Sequence, residues 1–430
     1  MQTGMLSLDQ APPLSVPASF FLSIPLGIVL AGCILLTTGI ISLSSPWMPF
    51  TLAMTHAGTL GVLAMGMLGA LYQMTPVIAS RPVPFTRLAH FVHTLLVVGL
   101  AGFVWRLLGG PAAAMSLAIS CFVAALLAFL LPLGWALLRP STKNEAVQGM
   151  RLAVVSIAVV SVTGIAMARG FAGETFLQQR MLWMQLHLTV ALLGWVGGLI
   201  MAVSWQVIPM FYLAENISKT TMRWFFGLLL SGLILPFISV FAGTEHQDIF
   251  SPGRLAAIGA LPAAVVIWLL HPILLLRNIA RRKRKRRDAS LLFWRAGLAA
   301  ALVLIPVSIA ALLSIEPRWQ ILFRWIAVWG WAGMVMHGML SRIVPFLVWF
   351  HRYSSRVGFE PVPSMRSLLS QRQIQVGFVL HAGSVLSGIA AIISQNDFLT
   401  RITGLLLIAT AISLGSMLIH VLKSKPESTP

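Results

Sequence analysis

Twelve stretches of the chain stay apolar for 20 residues or more without alternating, and the polar positions gather in short breaks between them. The stretches cover 19–42, 50–79, 87–108, 112–138, 150–169, 181–213, 222–243, 254–277, 291–314, 319–350, 374–394 and 399–422. Crossing a hydrocarbon layer of ~30 Å takes roughly 20 apolar residues as a helix. A strand would alternate between its two faces, and these runs do not. The breaks carry turn chemistry: SSPW, GGP, RPST, SPGR, EPR and SQND. The pattern predicts an all-α polytopic membrane protein of twelve transmembrane helices, forming a single transmembrane domain over residues 1–430.

Composition removes the soluble alternatives. Apolar residues make up 58% of the chain and charged residues 10%, with a mean hydropathy of +0.88. A soluble globule carries about 25% charged residues. The net charge of +19 would point to nucleic acid in a soluble protein, but here the positives lie between apolar spans and report topology. No nucleic-acid partner is expected. The loop 278–290, with RRKRKRRD, is the largest basic cluster and is predicted to be cytoplasmic. Alternation then places both termini and the loops 80–86, 139–149, 214–221 and 351–373 on that side, as expected for a bacterial-type inner (cytoplasmic) membrane. The first 18 residues hold no Lys or Arg, so no cleaved signal peptide is expected. Cys33 and Cys121 form no CxxC pair and no CxxCH haem-attachment site.

A repeat lies beneath the spans. Spans 2, 6 and 10 contain THAGTLGVLAMGMLGALYQMTPVIASRP, LHLTVALLGWVGGLIMAVSWQVIPMFYLAEN and WIAVWGWAGMVMHGMLSRIVPFLVWFHR. Each is long and rich in Gly and Met, and each ends with a polar residue, two further residues and a proline: Gln73 to Pro76, Gln206 to Pro209, Arg342 to Pro345. Pro209 follows Pro76 by 133 residues and Pro345 follows Pro209 by 136, which is four helices each time. Three four-helix units, about 19–138, 150–277 and 291–422, predict a pseudo-threefold bundle. Transporters more often repeat five or six helices, frequently inverted.

His56 lies 20 residues before its proline and His187 lies 22 before its own, so the two occupy similar depths toward the outer face. His337 lies 8 before Pro345, roughly 16 Å nearer the cytoplasm at about 1.5 Å per residue. Twelve helices in three groups of four, with histidines on even-numbered helices, resemble subunit I of the haem–copper oxidases. The segment GALYQMTPVIASRPVPFTRLAHFVH (69–93) is similar to the stretch of the cbb-type oxidases that leaves the copper-ligand helix. The denitrification-associated NnrS-type membrane proteins are a second kin by resemblance. That likeness implies haem b and copper, an electron-donor protein or a quinol, and partner membrane subunits. The oxidases carry adjacent histidines on helix seven, a cross-linked tyrosine on helix six and a closely spaced histidine pair on helix ten. Here span 7 has no histidine, the only tyrosine near span 6 is Tyr212, and the outer part of span 10 reads RWIAVWGW. The oxygen-reducing centre of the family is therefore incomplete, and no catalytic residue is assigned.

An axial imidazole is what a b-type haem requires of its protein, and a polar side chain inside a span is a functional candidate by its expense. His56 and His187 are expected to clamp one haem or metal near the outer face. His93, His337 and His381, each about two turns from the cytoplasmic face, are expected to form a second, inner cofactor site. His90, His271, His351 and His420 are expected at the interface, and His246 in an outer loop. The methionines suit Cu(I) but equally suit packing. Arg324 and Arg342 are the charges placed inside spans, where an arginine fork would suit haem propionates. No Asp or Glu falls within a predicted span, which disfavours a proton- or sodium-coupled carrier. The sequence thus predicts a haem- or copper-binding protein of electron transfer, or of metal or haem handling tied to respiration or denitrification. A non-redox transporter or copper-handling permease is the alternative. Reporter fusions after residue 285 and at the C-terminus should both read cytoplasmic; opposite locations would contradict the even number of spans.

Overall fold

The computed structural model describes residues 11–141, 144–241, 251–283, 285 and 288–424. His246 and, within the basic run, Arg284, Arg286 and Arg287 lie outside them. Among the described residues the regular structure is helical, with one isolated bridge between Val357 and Glu360. Twelve helices are long and apolar enough to cross a membrane: α1 Ser15–Leu43, α2 Pro49–Ala79, α3 Leu88–Leu107, α4 Ala112–Leu138, α5 Glu145–Ala172, α6 Arg180–Tyr212, α7 Lys219–Phe241, α8 Leu261–Arg281, α9 Ser290–Leu313, α10 Pro317–Arg356, α11 Gln371–Ser394 and α12 Asp397–Lys423. Each predicted span has its helix. Helix α8 begins later than expected, because Pro252–Gly259 forms a separate short helix ahead of it.

Local chemistry starts and ends these helices. The side chains of Asn144, Ser218, Ser370 and Asn396 accept backbone N–H groups in the first turns of α5, α7, α11 and α12. Those donors have no partner within the helix and would otherwise stay unsatisfied. Gly39, with φ +58°, closes the α-helical part of α1 in a backbone conformation that side chains disfavour, and 3-10 geometry continues to Leu43.

Three helices share a backbone feature. Helices α2, α6 and α10 each contain a π segment, at Thr59–Ala64, Val190–Gly197 and Ile326–Gly333. All three segments end 12 residues before the helix's proline, at Pro76, Pro209 and Pro345. The position seven residues before each proline is small: Gly69, Ala202 and Gly338. There the preceding helix of the repeat crosses. A Cβ built on Gly69 would lie 2.9 Å from Phe20 Cβ, one on Gly149 would lie 2.6 Å from Ala202 Cβ, and one on Gly338 would lie 2.6 Å from Phe293 Cβ. Small residues at helix crossings let backbones approach closely, which replaces the hydrophobic drive that lipid does not supply. These three helices are also the most enclosed. Their most apolar stretches are 78–89% buried, against at most 50% in the other nine.

The chain forms two compact units that cut across the repeats: Met1–Met74 with Arg286–Gly297 and Arg324–Pro430, and Thr75–Lys285 with Leu298–Phe323. In the first, α1 lies along α12 with Gly32 against Gly404, so close that a Cβ on Gly404 would meet the Gly32 carbonyl oxygen at 2.6 Å. Trp325 Nε1 of α10 donates to the Val385 carbonyl of α11 at 3.0 Å. In the second, α3 crosses α4 at Gly102, where an added Cβ would lie 2.8 Å from the Ala114 carbonyl oxygen.

Gly27 marks a further contact with backbone on both sides. A Cβ there would lie 2.6 Å from the carbonyl carbon of Gly61, and backbone in an enclosed helix has nowhere to move. Gly27→Val should lower stability by about 1–3 kcal/mol, the range for overpacking, as read by thermal unfolding in detergent. Gly134→Ala, at a position where an added Cβ meets nothing within 4 Å, should leave the midpoint unchanged.

Candidate histidine sites on the repeat helices

His56 and His187 stand three residues before the π segments of α2 and α6. Their unequal distances from the prolines, 20 and 22 residues, follow from π segments of 6 and 8 residues. The equivalent position in α10 is Phe323. His56 Nδ1 is 2.8 Å from the Leu52 carbonyl oxygen one turn earlier. A carbonyl only accepts, so the proton sits on Nδ1 and the lone pair on Nε2. His187 reaches the same state through a different partner. Its Nδ1 is 3.1 Å from Thr163 Oγ1 of α5, and that hydroxyl donates to the Val159 and Val160 carbonyls, each at 3.0 Å. Thr163 therefore accepts from Nδ1–H. Gly164 leaves room beside the ring, since a Cβ there would lie 3.0 Å from His187 Cε1. Both side chains are partly buried. His56 belongs to the first compact unit and His187 to the second. Metal-ligating imidazoles share this arrangement, in which the non-ligating ring nitrogen donates to a fixed acceptor.

His337 and His381, both buried, are brought together within the first unit. Their Nδ1 atoms are 3.1 Å apart. His381 Nε2 is 3.1 Å from the Trp329 carbonyl oxygen, in the π segment of α10, so Nε2 carries the His381 proton. Its Nδ1 then accepts from His337 Nδ1–H, and the His337 lone pair falls on Nε2, beside Gly377. Phe293 covers the pair, with ring centroids 4.4 Å from His337 and 6.3 Å from His381. The His381 Nδ1 lone pair is thus engaged by the His337 Nδ1–H, and the two rings form one hydrogen-bonded unit. His93, grouped with this pair in the sequence, is half-buried on α3 in the other unit.

Other expectations change on inspection. His271, expected at the interface, is buried within the protein, and its Nε2 donates to Ser204 Oγ of α6 at 2.9 Å. His90 and His420 are exposed. Arg342 does not present its fork to a cofactor. It forms an ion pair with Asp288, while its Nε donates to Ser290 Oγ at 3.1 Å. Arg324 is buried and donates to the Pro46 carbonyl at 2.9 Å. Met65, Met67, Met334 and Met339 are buried in packing. The Gln73 side-chain amide is buried and neither its nitrogen nor its oxygen is bonded among the described residues, a condition that buried amides usually relieve with water or a ligand. Thr163 and the Trp329 carbonyl were not legible as site groups. A lone threonine in a span carries no mark, and a carbonyl carries none at all.

The donor set fits haem better than copper. Among the described residues no group of three or more His, Cys, Asp or Glu comes together to hold a metal ion. A porphyrin brings its own four nitrogens and asks the protein for one or two axial ligands, which the settings of His56 and His187 can each supply. No protein-family model matches this chain, and no curated protein matches it in sequence.

The histidine pair makes a direct prediction. Removing one ring leaves a buried nitrogen of the other without its partner, at a loss of about 1–3 kcal/mol, whereas removing both leaves no unpaired imidazole and takes from the protein only the donor to the Trp329 carbonyl. His337→Leu and His381→Leu should each lower the unfolding midpoint, and the double variant should lose clearly less than the two losses combined. Additive losses would mean that the two rings do not depend on each other.

Proposed function

We propose that this protein binds haem b within the membrane and serves electron transfer linked to respiration or denitrification. It would lie in a bacterial-type cytoplasmic membrane with both termini inside. The observation that carries the reading is the matched setting of His56 and His187. The two imidazoles precede π segments at the same place in two repeat helices, and different partners hold both Nδ1 atoms as donors. A packing histidine has no need of one particular tautomer in two repeats. An axial ligand does, because its donating nitrogen must be deprotonated and its ring held in one orientation.

In this reading His56 and His187 offer Nε2 to iron, and Leu52 and Thr163 fix the rings. Haem, when bound, supplies reversible one-electron chemistry at a potential set by its axial ligands. The buried His337–His381 pair stands outside the ligand set.

The test is a dithionite-reduced minus oxidised spectrum of the purified protein, with a pyridine haemochrome assay and metal analysis. Wild type should show a b-type spectrum. His56→Ala or His187→Ala, at equal folded yield, should lose haem or move from low- to high-spin absorbance, and His420→Ala should do neither. Wild-type spectra in both variants would remove these two ligands. A protein that carries neither haem nor metal would overturn the redox reading and leave the transporter alternative.

A further inference from the structure

A basic site lies at one end of the second unit, where the end of α2, the end of α4 and the first turns of α5 meet. The residues 79–81 and 139–141 run past each other and are joined by two hydrogen bonds. Ser141 N–H donates to the Ala79 carbonyl at 3.0 Å, and Arg81 Nε donates to the Arg139 carbonyl at 2.9 Å. Ser80, with φ +51°, makes the turn that brings Arg81 to this position. From α5, Arg151 Nε donates to the Leu137 carbonyl at 2.8 Å. Three arginines are thereby fixed around the last carbonyls of a single helix, and none of them makes an ion pair among the described residues. Glu145, the nearest carboxylate in sequence, is held by Arg223 at 3.1 Å.

The three guanidinium groups are not equivalent. Arg151 is committed to α4 and to Gln148, at 3.2 Å. Arg81 uses Nε and keeps its two terminal nitrogens. Arg139 lies with its guanidinium carbon 3.7 Å from the centre of the Trp135 ring, which orients the planar group without using any of its five N–H donors. Below it runs an apolar lane: Leu127, Leu131, Trp135 and Leu138 follow one face of α4, and the last three are 70%, 54% and 72% exposed. A helix C-terminus alone calls for one cation. Two further positive groups, still holding free donors and placed above an exposed apolar lane, match an anion that carries hydrocarbon.

We infer that the clasp formed by 79–81 and 139–141 binds the phosphate of an anionic phospholipid, with Arg81 and Arg139 on the headgroup oxygens and an acyl chain along Leu127, Leu131 and Leu138. Guanidinium suits the group because its fork matches two phosphate oxygens at once. The site is separate from the basic loop 278–290 and independent of the proposed haem.

The experiment is native mass spectrometry of the full chain, delipidated in a non-ionic detergent and titrated with phosphatidylglycerol, with phosphatidylcholine of the same acyl chains, or with inorganic phosphate. Phosphatidylglycerol should give a discrete bound state that the other two do not. Arg139→Gln should weaken it about fivefold, and Arg81→Gln with Arg139→Gln about thirtyfold, for roughly one contact each. Because the Arg139 guanidinium makes no hydrogen bond among the described residues, the single variant is expected to fold even if the double does not. Lys219→Gln, an exposed cation at the start of α7, should change nothing. Equal retention of both lipids would reduce the site to its apolar lane. Competition by inorganic phosphate at the same concentration would make it an ion site. Undiminished binding in Arg139→Gln would place the lipid elsewhere. Each of these results overturns the inference.

Discussion

In hydrocarbon a peptide group has no water to bond, so every backbone N–H and C=O within a span must find its partner inside the protein. That constraint organises this chain. It turns all twelve apolar runs into helices, and it gives the rare departures from the α-helical ladder their importance. A π segment widens the bond spacing from four residues to five and leaves carbonyls displaced from the regular row. The chain accepts such segments at the same position in α2, α6 and α10, its three most enclosed helices. One displaced position is put to use: the Trp329 carbonyl accepts the His381 proton and sets the direction of the whole hydrogen-bonded pair.

The same scarcity of partners explains the charges. Thirty Lys and Arg share the chain with only 11 Asp and Glu, so most arginines cannot find a carboxylate. They turn instead to backbone carbonyls at helix ends, where the last turn leaves acceptors exposed. Arg106 donates to the Phe171 carbonyl at 2.7 Å and the Gly110 carbonyl at 2.9 Å. Arg352 donates to the Leu422 carbonyl at 2.7 Å, and Arg401 to the Leu36 carbonyl at 2.6 Å. The cations that report topology in the sequence thus also tie helix ends together in the fold. The few carboxylates also take arginines: Arg342 pairs with Asp288, joining the entry of α9 to the interior of α10, and Arg401 pairs with Asp397 as well as with its carbonyl.

Hydropathy alone makes the twelve spans legible, because a run of some 20 apolar residues has few other solutions. The repeat is legible too, because proline is rare enough inside helices for Pro76, Pro209 and Pro345 to stand out. What the sequence does not disclose is what depends on the third dimension. The π segments have no composition of their own; VALLGWVG and IAVWGWAG read as ordinary apolar helix. The spacing of His337 and His381, 44 residues apart on successive helices, does not announce that they touch. His271 looks interfacial beside Pro272 and the basic run, yet Ser204 draws it into the interior. A place three residues ahead of a π segment, with Nδ1 held by Leu52 or Thr163, is what distinguishes His56 and His187 from the other histidines on physical grounds.

A regular α-helix is a rigid rod: its two ends cannot turn against each other without breaking the ladder between them. A π segment removes that rule. The surplus residue can be handed one place along the helix by exchanging one hydrogen bond for its neighbour, and each residue it passes swings by roughly 100° about the axis. In α10 such a step would carry Trp329 and its carbonyl away from His381, and His381 would lose the acceptor that holds its proton on Nε2. The enclosed helices of this protein therefore contain a built-in screw, whose pitch is a single residue and whose thread runs past a buried pair of imidazoles.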